Sequence, residues 1–320
     1  MTDVSVTDVS VRMSKPHSLL VVGSVGLDDV ETRNGKRTGV LGGAASYFSV
    51  AASFLAAPRM VAIVGHDFPQ GHSALFERHG VDLAGLERVP GETFRWSGVY
   101  SADFLTRTTL DTRLNVFSDF NPKLPSAWRS SEYVFLANID PVLQLRVLEQ
   151  TERPRFVACD TMNFWITGKR AELAALLERV DMLLLNDEEA RQLSGESNLP
   201  AAARAIRRLG PSAVIIKRGD AGALLFHEGG VFSAPAFPIE NVVDPTGAGD
   251  SFAGGFMGWL ARSGATTPEN IRTAMILGSV LASFAVEDFS LDRFRSLDLG
   301  QIRERFAAFA DLVHFEKIRL

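Results

Sequence analysis

A chain of 320 residues, 46% of them hydrophobic, is long enough to bury a substantial core, as one large α/β domain or as a domain with an appendage. Its net charge of -5 argues against a nucleic-acid binder held by phosphate contacts, and its lone cysteine, Cys159, excludes an internal disulfide and a Cys-rich metal site. No apolar stretch approaches the roughly 20 residues that span a bilayer, and the N-terminus lacks the basic and apolar segments of a signal peptide, so a cytoplasmic protein with no membrane or nucleic-acid partner is expected.

Residues 1–17 repeat Thr-Asp-Val-Ser-Val without a core-like continuation and read as a flexible tail ahead of one principal domain, 18–320. Leu19 to Gly23 is an apolar run closed by glycine, which suits a buried parallel strand. Over 30–40, Asn34-Gly35 between short polar arms signals a two-residue hairpin. Over 93–117, Phe94, Trp96 and Tyr100 stand among charged and hydroxyl residues. Lone hairpins are marginal, so these two polar β regions are expected to pair as one small inserted lid. Between them, Gly42-Gly43 opens an Ala-rich helix to Leu55, followed by a strand over 59–64 and a helix through Phe76.

After the second β region the pattern becomes regular. Strands at 133–137, 156–159, 182–185 and 213–217 alternate with helical periodicity near 141–150, 169–179 and 200–209. Such alternation means right-handed βαβ units and a mostly parallel sheet flanked by helices. A hairpin over 222–234 and helices near 248–262, 268–286 and 299–310 complete the chain.

The stretch Asp244 to Phe256, Asp-Pro-Thr-Gly-Ala-Gly-Asp-Ser-Phe-Ala-Gly-Gly-Phe, carries the sharpest chemistry. Gly247 and Gly249 permit a tight turn of bare backbone, and the spacing of Phe252, Phe256 and Trp259 reads as a helix opening there. Unpaired N–H groups and the helix dipole make such a start an anion site. A carboxylate beside it, Asp250, makes sense if it takes a proton from a hydroxyl attacking a phosphate. An ordinary capped helix start is the alternative. Asp28, just beyond the first strand, offers a carboxylate to a vicinal diol or to a local Asx turn.

Over its full length the 244–256 stretch resembles the carboxy-terminal signature of the ribokinase/PfkB family of carbohydrate kinases. The resemblance implies a ribokinase-like fold with Asp250 as general base and the backbone of Gly247, Ala248 and Gly249 as anion hole. It favours Asp28 as a substrate contact, makes Gly42-Gly43 the amino-terminal signature, and relates Asp140 loosely to a further acidic substrate contact, against a helix N-cap before Pro141. Tyr47 stands where the family usually has asparagine, so an amide contact to substrate is lost or replaced by a ring. Asn186 and Glu189 match an Asn-x-x-Glu element for nucleotide phosphate and for the water shell of magnesium. Lys217, Gly219 and Gly222 fall in the nucleotide loop, where lysine replaces the usual threonine, and Thr246 joins the ATP-binding set. Asp160 and Asn163 resemble another strand end of the family, without a defined role.

No Gly-x-Gly-x-x-Gly follows the first strand and no Gly-x-x-x-x-Gly-Lys occurs, which disfavours a dinucleotide oxidoreductase or a P-loop enzyme. The expectation is an ATP- and Mg2+-dependent kinase acting on a sugar or polyol hydroxyl, with a monovalent cation as a further candidate cofactor. A nucleoside kinase of adenosine type is the alternative, with Tyr47, Phe48, Phe104, Phe164 and Trp165 as stacking candidates. A non-catalytic sugar- or nucleotide-sensing protein stands further off. Homodimerisation through the lid is a candidate assembly, and Arg33, Arg37, Arg95 and Arg107 on the lid are candidate phosphate contacts.

Overall fold

The computed structural model describes residues 16–316, so the expected tail lies almost wholly outside the described residues. His17, at its end, is anchored: its backbone N–H donates to Ala261 O (2.9 Å) and its ring Nδ1 lies 2.8 Å from the Glu132 carboxylate.

In chain order the elements are strands β1 (Leu19–Val22), β2 (Gly26–Thr32) and β3 (Gly35–Gly42), helix α1 (Ala44–Ser53), β4 (Pro58–Gly65), α2 (Gln70–Arg78), β5 (Asp82–Val89), β6 (Phe94–Tyr100) and β7 (Arg107–Arg113). There follow β8 (Tyr133–Leu136), α3 (Pro141–Gln150), β9 (Phe156–Asp160), α4 (Asn163–Gly168), α5 (Arg170–Leu177), β10 (Met182–Asn186), α6 (Asp187–Ser194) and α7 (Leu199–Arg207). The chain closes with β11 (Ala213–Lys217), β12 (Ala223–His227), β13 (Gly230–Ala234), α8 (Ala248–Ser263), α9 (Pro268–Ala285) and α10 (Leu299–Leu312).

The main sheet has nine strands in the order β13-β12-β11-β10-β9-β8-β1-β4-β5. The strands from β11 to β5 run parallel, while β12 and β13 add an antiparallel edge. β1, Leu-Leu-Val-Val, is fully buried because helices cover both faces of the sheet. On one face α1, α8 and α9 pack, with Phe48 stacked on Phe135 at 4.5 Å. On the other lie α3, α5, α6 and α7, contributing Leu148, Leu176, Leu193 and Ile206. In α8, Gly254 and Gly255 let neighbours come close: a Cβ there would sit 2.4 Å from Phe48 O and 2.8 Å from Leu277 O. From β1 the sheet grows through β4 to β5 on one side and from β8 outward on the other. The order therefore reverses between β1 and β8, and a crevice opens beyond the carboxyl ends of the strands at such a point.

A second sheet, β3-β2-β6-β7, stands apart, with β2 and β6 parallel. It extends the expected 30–40 region to Gly26–Gly42 and trims 93–117 to Phe94–Arg113. β5 was not expected; as an edge strand with Asp82, Glu87 and Arg88 it has no continuous apolar run. The first hairpin also differs in detail. Thr32 pairs with Gly35, so Arg33-Asn34 form the turn and Gly35, at φ 134°, opens the next strand. Asn34 is used elsewhere, its amide donating to Val242 O at 2.6 Å. Among the described residues no helix is long and apolar enough to cross a membrane.

Candidate active site

The start of α8 is held from beneath. Asp244 is buried and accepts from the backbone N–H of Thr246 (2.9 Å) and of Ser290 (3.4 Å). Gly247 then turns at φ 75°, and a Cβ on it would meet the Tyr47 ring at 2.3 Å, so both conformation and contact require glycine. Ala248 N–H closes the turn on Pro245 O and Ser251 N–H returns to Gly247 O, while among the described residues the N–H groups of Gly249 and Asp250 have no main-chain acceptor, that of Asp250 lying against its own carboxyl. These are the exposed donors of the helix start. Burial pushes Asp250 up to about 7, helped by the negative Asp160 and opposed by Lys217 and Arg107.

Opposite lies a charged cluster from the ends of β9, β10 and β11. Lys217 Nζ donates to Asp160 Oδ2 at 2.8 Å, and both side chains are largely buried. The same Nζ would be only 3.0 Å from a Cβ placed on Gly249, which sets the ammonium beside the helix start. Burial opposes the charge on Lys217, but Asp160, Glu189 and Asp250 outweigh it and hold its pKa above the ordinary value. Asn186 and Glu189 form a capping box on α6, Asn186 Oδ1 accepting from Glu189 N–H (2.7 Å) and Glu189 Oε2 from Asn186 N–H (2.8 Å). Glu189 is pushed up to about 7, by burial first and by Asp160 next, against Lys217 and the Asn186 N–H. Gly219 and Gly222 shape the turn after β11, Gly219 at φ 57° and Gly222 at φ 78°.

Three carboxylates, Asp160, Glu189 and Asp250, thus share one ammonium. Magnesium prefers few protein carboxylates and retained waters, so this excess negative charge fits a hydrated divalent cation held near Glu189 and Asp160. Among the described residues no group of three or more His, Cys, Asp or Glu is arranged to hold a metal by itself.

On the lid side Asp28 is only 4% exposed and, among the described residues, its Oδ1 has no hydrogen-bond partner. Burial, then Asp244, Asp250 and Asp29, push it up to about 8, with Arg107 pulling the other way. Gly42 makes room for this carboxylate itself: a Cβ there would lie 2.0–2.4 Å from its atoms. Gly43, at φ 93°, brings the backbone against Ser24, whose hydroxyl accepts from Ala44 N–H at 3.1 Å. The glycine pair therefore seats Asp28 and joins two loops. Tyr47 is 1% exposed beneath the Gly247 turn, its hydroxyl without a partner and its ionisation held up by burial and by Asp28 and Asp244.

Asp140 caps α3 through Val142 N–H (2.9 Å) and pairs with Lys169 (3.2 Å). Thr246, expected on the nucleotide side, shares a hydrogen bond of 3.2 Å with the hydroxyl of Tyr100 from the lid. Arg107, paired across strands with Tyr100, acts on Asp28, Asp250 and Glu189 together. Of the stacking candidates, Tyr47 and Phe48 belong to the core, Phe104 lies under the Arg33 guanidinium, and Trp165 donates to Asn138. Tyr100 and Asp244 had no place among the expected site residues, and Asp160 none with a role; only strand register and packing bring them in.

The family model for pfkB family carbohydrate kinases matches residues 18–294. Cytidine kinase of Thermococcus kodakarensis is 29% identical over 253 residues, covering 76% of this chain and 88% of that protein. Inositol 3-kinase of Arabidopsis thaliana is 26% identical over 317 residues, covering 93% and 82%. Among solved structures, the Burkholderia thailandensis nucleoside kinase in complex with ADP-inosine is similar at TM-score 0.75 and 18% identity, over 91% of this chain and 95% of that one. The Methanocaldococcus jannaschii nucleoside kinase is similar at TM-score 0.73 and 20% identity, over 92% and 100%. At those identities the structures speak for the fold.

Proposed function

The chain belongs to the pfkB family of carbohydrate kinases, and from that premise we propose that it moves the γ-phosphoryl group of ATP to a hydroxyl of a small acceptor whose vicinal diol rests on Asp28. The observation that carries this reading is the juxtaposition at the start of α8, where the Asp250 carboxyl sits beside helix-start N–H groups with no main-chain acceptor among the described residues and Lys217 closes the other side.

A base is most useful when its pKa lies near the working pH, and a carboxyl at about 7 is far better placed to take a hydroxyl proton than one near 4. The Gly249 and Asp250 N–H groups and the dipole of α8 meet negative charge on the transferring phosphoryl group. Lys217 adds a fixed positive charge on the nucleotide side. Bound magnesium supplies neutralisation of phosphate charge, with Glu189 and Asp160 the residues that would hold its water shell. Asp28 orients the acceptor by taking hydrogen bonds from two adjacent hydroxyls, and Arg107 brings a cation from the lid. The lid sheet, Gly26–Gly42 with Phe94–Arg113, excludes water when it closes.

The test is acceptor-dependent ADP release from ATP and Mg2+, with sugars, polyols and nucleosides offered separately to wild type and Asp250→Asn. A loss of roughly 100- to 10,000-fold in kcat, with nucleotide binding kept, is expected of a general base. Unchanged turnover in the variant removes Asp250 from that role, and no turnover with any acceptor favours the sensing alternative.

A further inference from the structure

From the inner face of the lid we infer that the acceptor is a nucleoside, its ribose diol on Asp28 and its planar base stacked on Trp96; this rests on the kinase reading above.

Register fixes which lid residues look at the site. β2 and β6 are parallel and pair Gly26 with Phe94, Asp28 with Trp96 and Val30 with Gly98. Paired residues of neighbouring strands point to the same face, so Trp96 shares the face of the buried Asp28. β6 alternates regularly, so Gly98 and Tyr100 follow on that face, and Tyr100 reaches Thr246 beside the α8 turn. β7 accommodates an irregularity between Ser97 and Gly98 and brings Thr109 opposite Gly98 and Arg107 opposite Tyr100. The inner face beside the diol carboxylate therefore carries an indole, a phenol and a guanidinium.

The indole is laid down on purpose-shaped ground. It folds over Gly98, where a Cβ would fall 2.3 Å from two of its ring carbons, and its Nε1–H donates to Thr109 Oγ1 at 3.2 Å. Any larger residue at 98 lifts the ring off the sheet. With its N–H satisfied and one face on the backbone, the half-buried indole offers a π surface at its remaining side. The exposed Arg107 guanidinium lies 5.3 Å from the ring centroid, within cation–π range. The same Arg107 acts on the charges of Asp28 and Asp250, which sets indole, guanidinium and diol carboxylate on one face. A heteroaromatic base is the group that uses such a platform most fully. A free sugar or polyol, which the sequence favours, needs Asp28 but leaves Trp96 with little to do. A cavity lined by Arg78, His79 and Arg295 and another lined by Arg155 and His227 contain none of these lid or α8 residues.

The experiment compares kcat/KM for cytidine, inosine, ribose and myo-inositol in wild type, Trp96→Ala, Trp96→Phe and Gly98→Ala. It also reads quenching of tryptophan fluorescence by nucleoside without ATP. The inference expects a nucleoside to exceed both sugars in wild type. Stacking of about 1–3 kcal/mol per base converts to a loss of about 5- to 150-fold in nucleoside kcat/KM for Trp96→Ala, chiefly through KM, with a clearly smaller loss on ribose. Trp96→Phe should retain most of the activity, Gly98→Ala should lose part of it, and the quench should vanish when Trp96 is replaced. A sugar that outperforms every nucleoside overturns the inference and leaves the kinase reading intact. So does an equal loss on nucleoside and ribose, which marks Trp96 as structural. Absence of turnover with all four acceptors sinks the kinase reading instead, and the quench, which needs no turnover, still decides the role of Trp96.

Discussion

Asp160→Asn should move the acid limb of the pH–rate profile downward. After burial, Asp160 is the strongest influence raising Asp250, and it also engages Lys217 at 2.8 Å. Neutralising it removes a repulsion and leaves the Lys217 charge uncompensated, and both changes favour ionised Asp250. One unit charge in a partly buried site acts with on the order of 1–2 kcal/mol, or about one pH unit. Asp250 stands at about 7 in the intact site, so about a tenth of it is ionised at pH 6. With its pKa lowered by one unit, about half would be ionised there. Relative to each enzyme's own plateau, kcat/KM one pH unit below the wild-type acid limb should therefore rise about fivefold in the variant. The plateau itself should fall, because Lys217 loses the partner that orients it. The assay is kcat/KM for the best acceptor from pH 5 to 9 at saturating ATP and Mg2+. An acid limb that stays in place, or moves upward, refutes the assignment of that limb to Asp250 and with it the electrostatic reasoning.

Asp28→Asn should stabilise the protein while abolishing use of diol acceptors. A carboxyl raised from its ordinary 3.8 to about 8 in the fold favours the folded state below the lower value, and that advantage is lost as pH rises through the upper one. The cost of ionised Asp28 at pH 8 is of order several kcal/mol, so the variant should gain a few degrees in Tm at pH 8 and little at pH 4; a lower Tm at pH 8 contradicts it. Gly249→Val should reduce activity more than stability, because its side chain meets Lys217 at the site. Positive φ belongs to Gly247 instead, and Gly247→Val should therefore lose both Tm and activity; equal Tm values for the two variants count against this distinction. Acceptor binding should slow hydrogen exchange in β2, β3, β6 and β7 if the small sheet closes as a lid, and exchange unchanged at saturation would leave it as fixed decoration or a dimer surface.

The main sheet was legible because buried parallel strands announce themselves twice, by apolar runs such as Leu19–Val22 and by the helical periodicity between them. β5 lacked both signals. As an edge strand it buries little on its outer side, and its charged residues interrupt the run. The Asn34-Gly35 signal located a hairpin but not its turn. The amide of Asn34 finds partners in Val242 and Val243, and that tertiary bond outweighs the local preference of the dipeptide. Two glycine pairs had uses that only packing reveals. Gly42-Gly43 seats Asp28 and Ser24, and Gly254-Gly255 lets α8 approach α1 and α9.

The site divides along the same line. Asp250, Lys217, Glu189 and Asp28 sit where a glycine turn or a strand end points, so local chemistry nominates them. Arg107, Tyr100 and Trp96 are supplied by register between strands far apart in sequence, which no local pattern specifies. What the assembled site adds is their coupling. Asp28, Asp250 and Glu189 are each raised mainly by burial and secondarily by one another or by neighbouring carboxylates, so none of them sets its charge independently. Arg107 opposes this crowding from the lid, and a magnesium ion held with the nucleotide would oppose it on the other side. If the small sheet closes as a lid, and if the nucleotide's magnesium ion outweighs its phosphate charge at Asp250, both events favour the same ionised state of Asp250, and the base becomes available when both substrates are in place. The acid limb should accordingly lie at higher pH in nucleotide-free protein than in the complex. Titration of Asp250 by 13C NMR of labelled aspartate, with and without MgADP, measures that difference, and an unshifted or raised pKa in the complex removes the coupling.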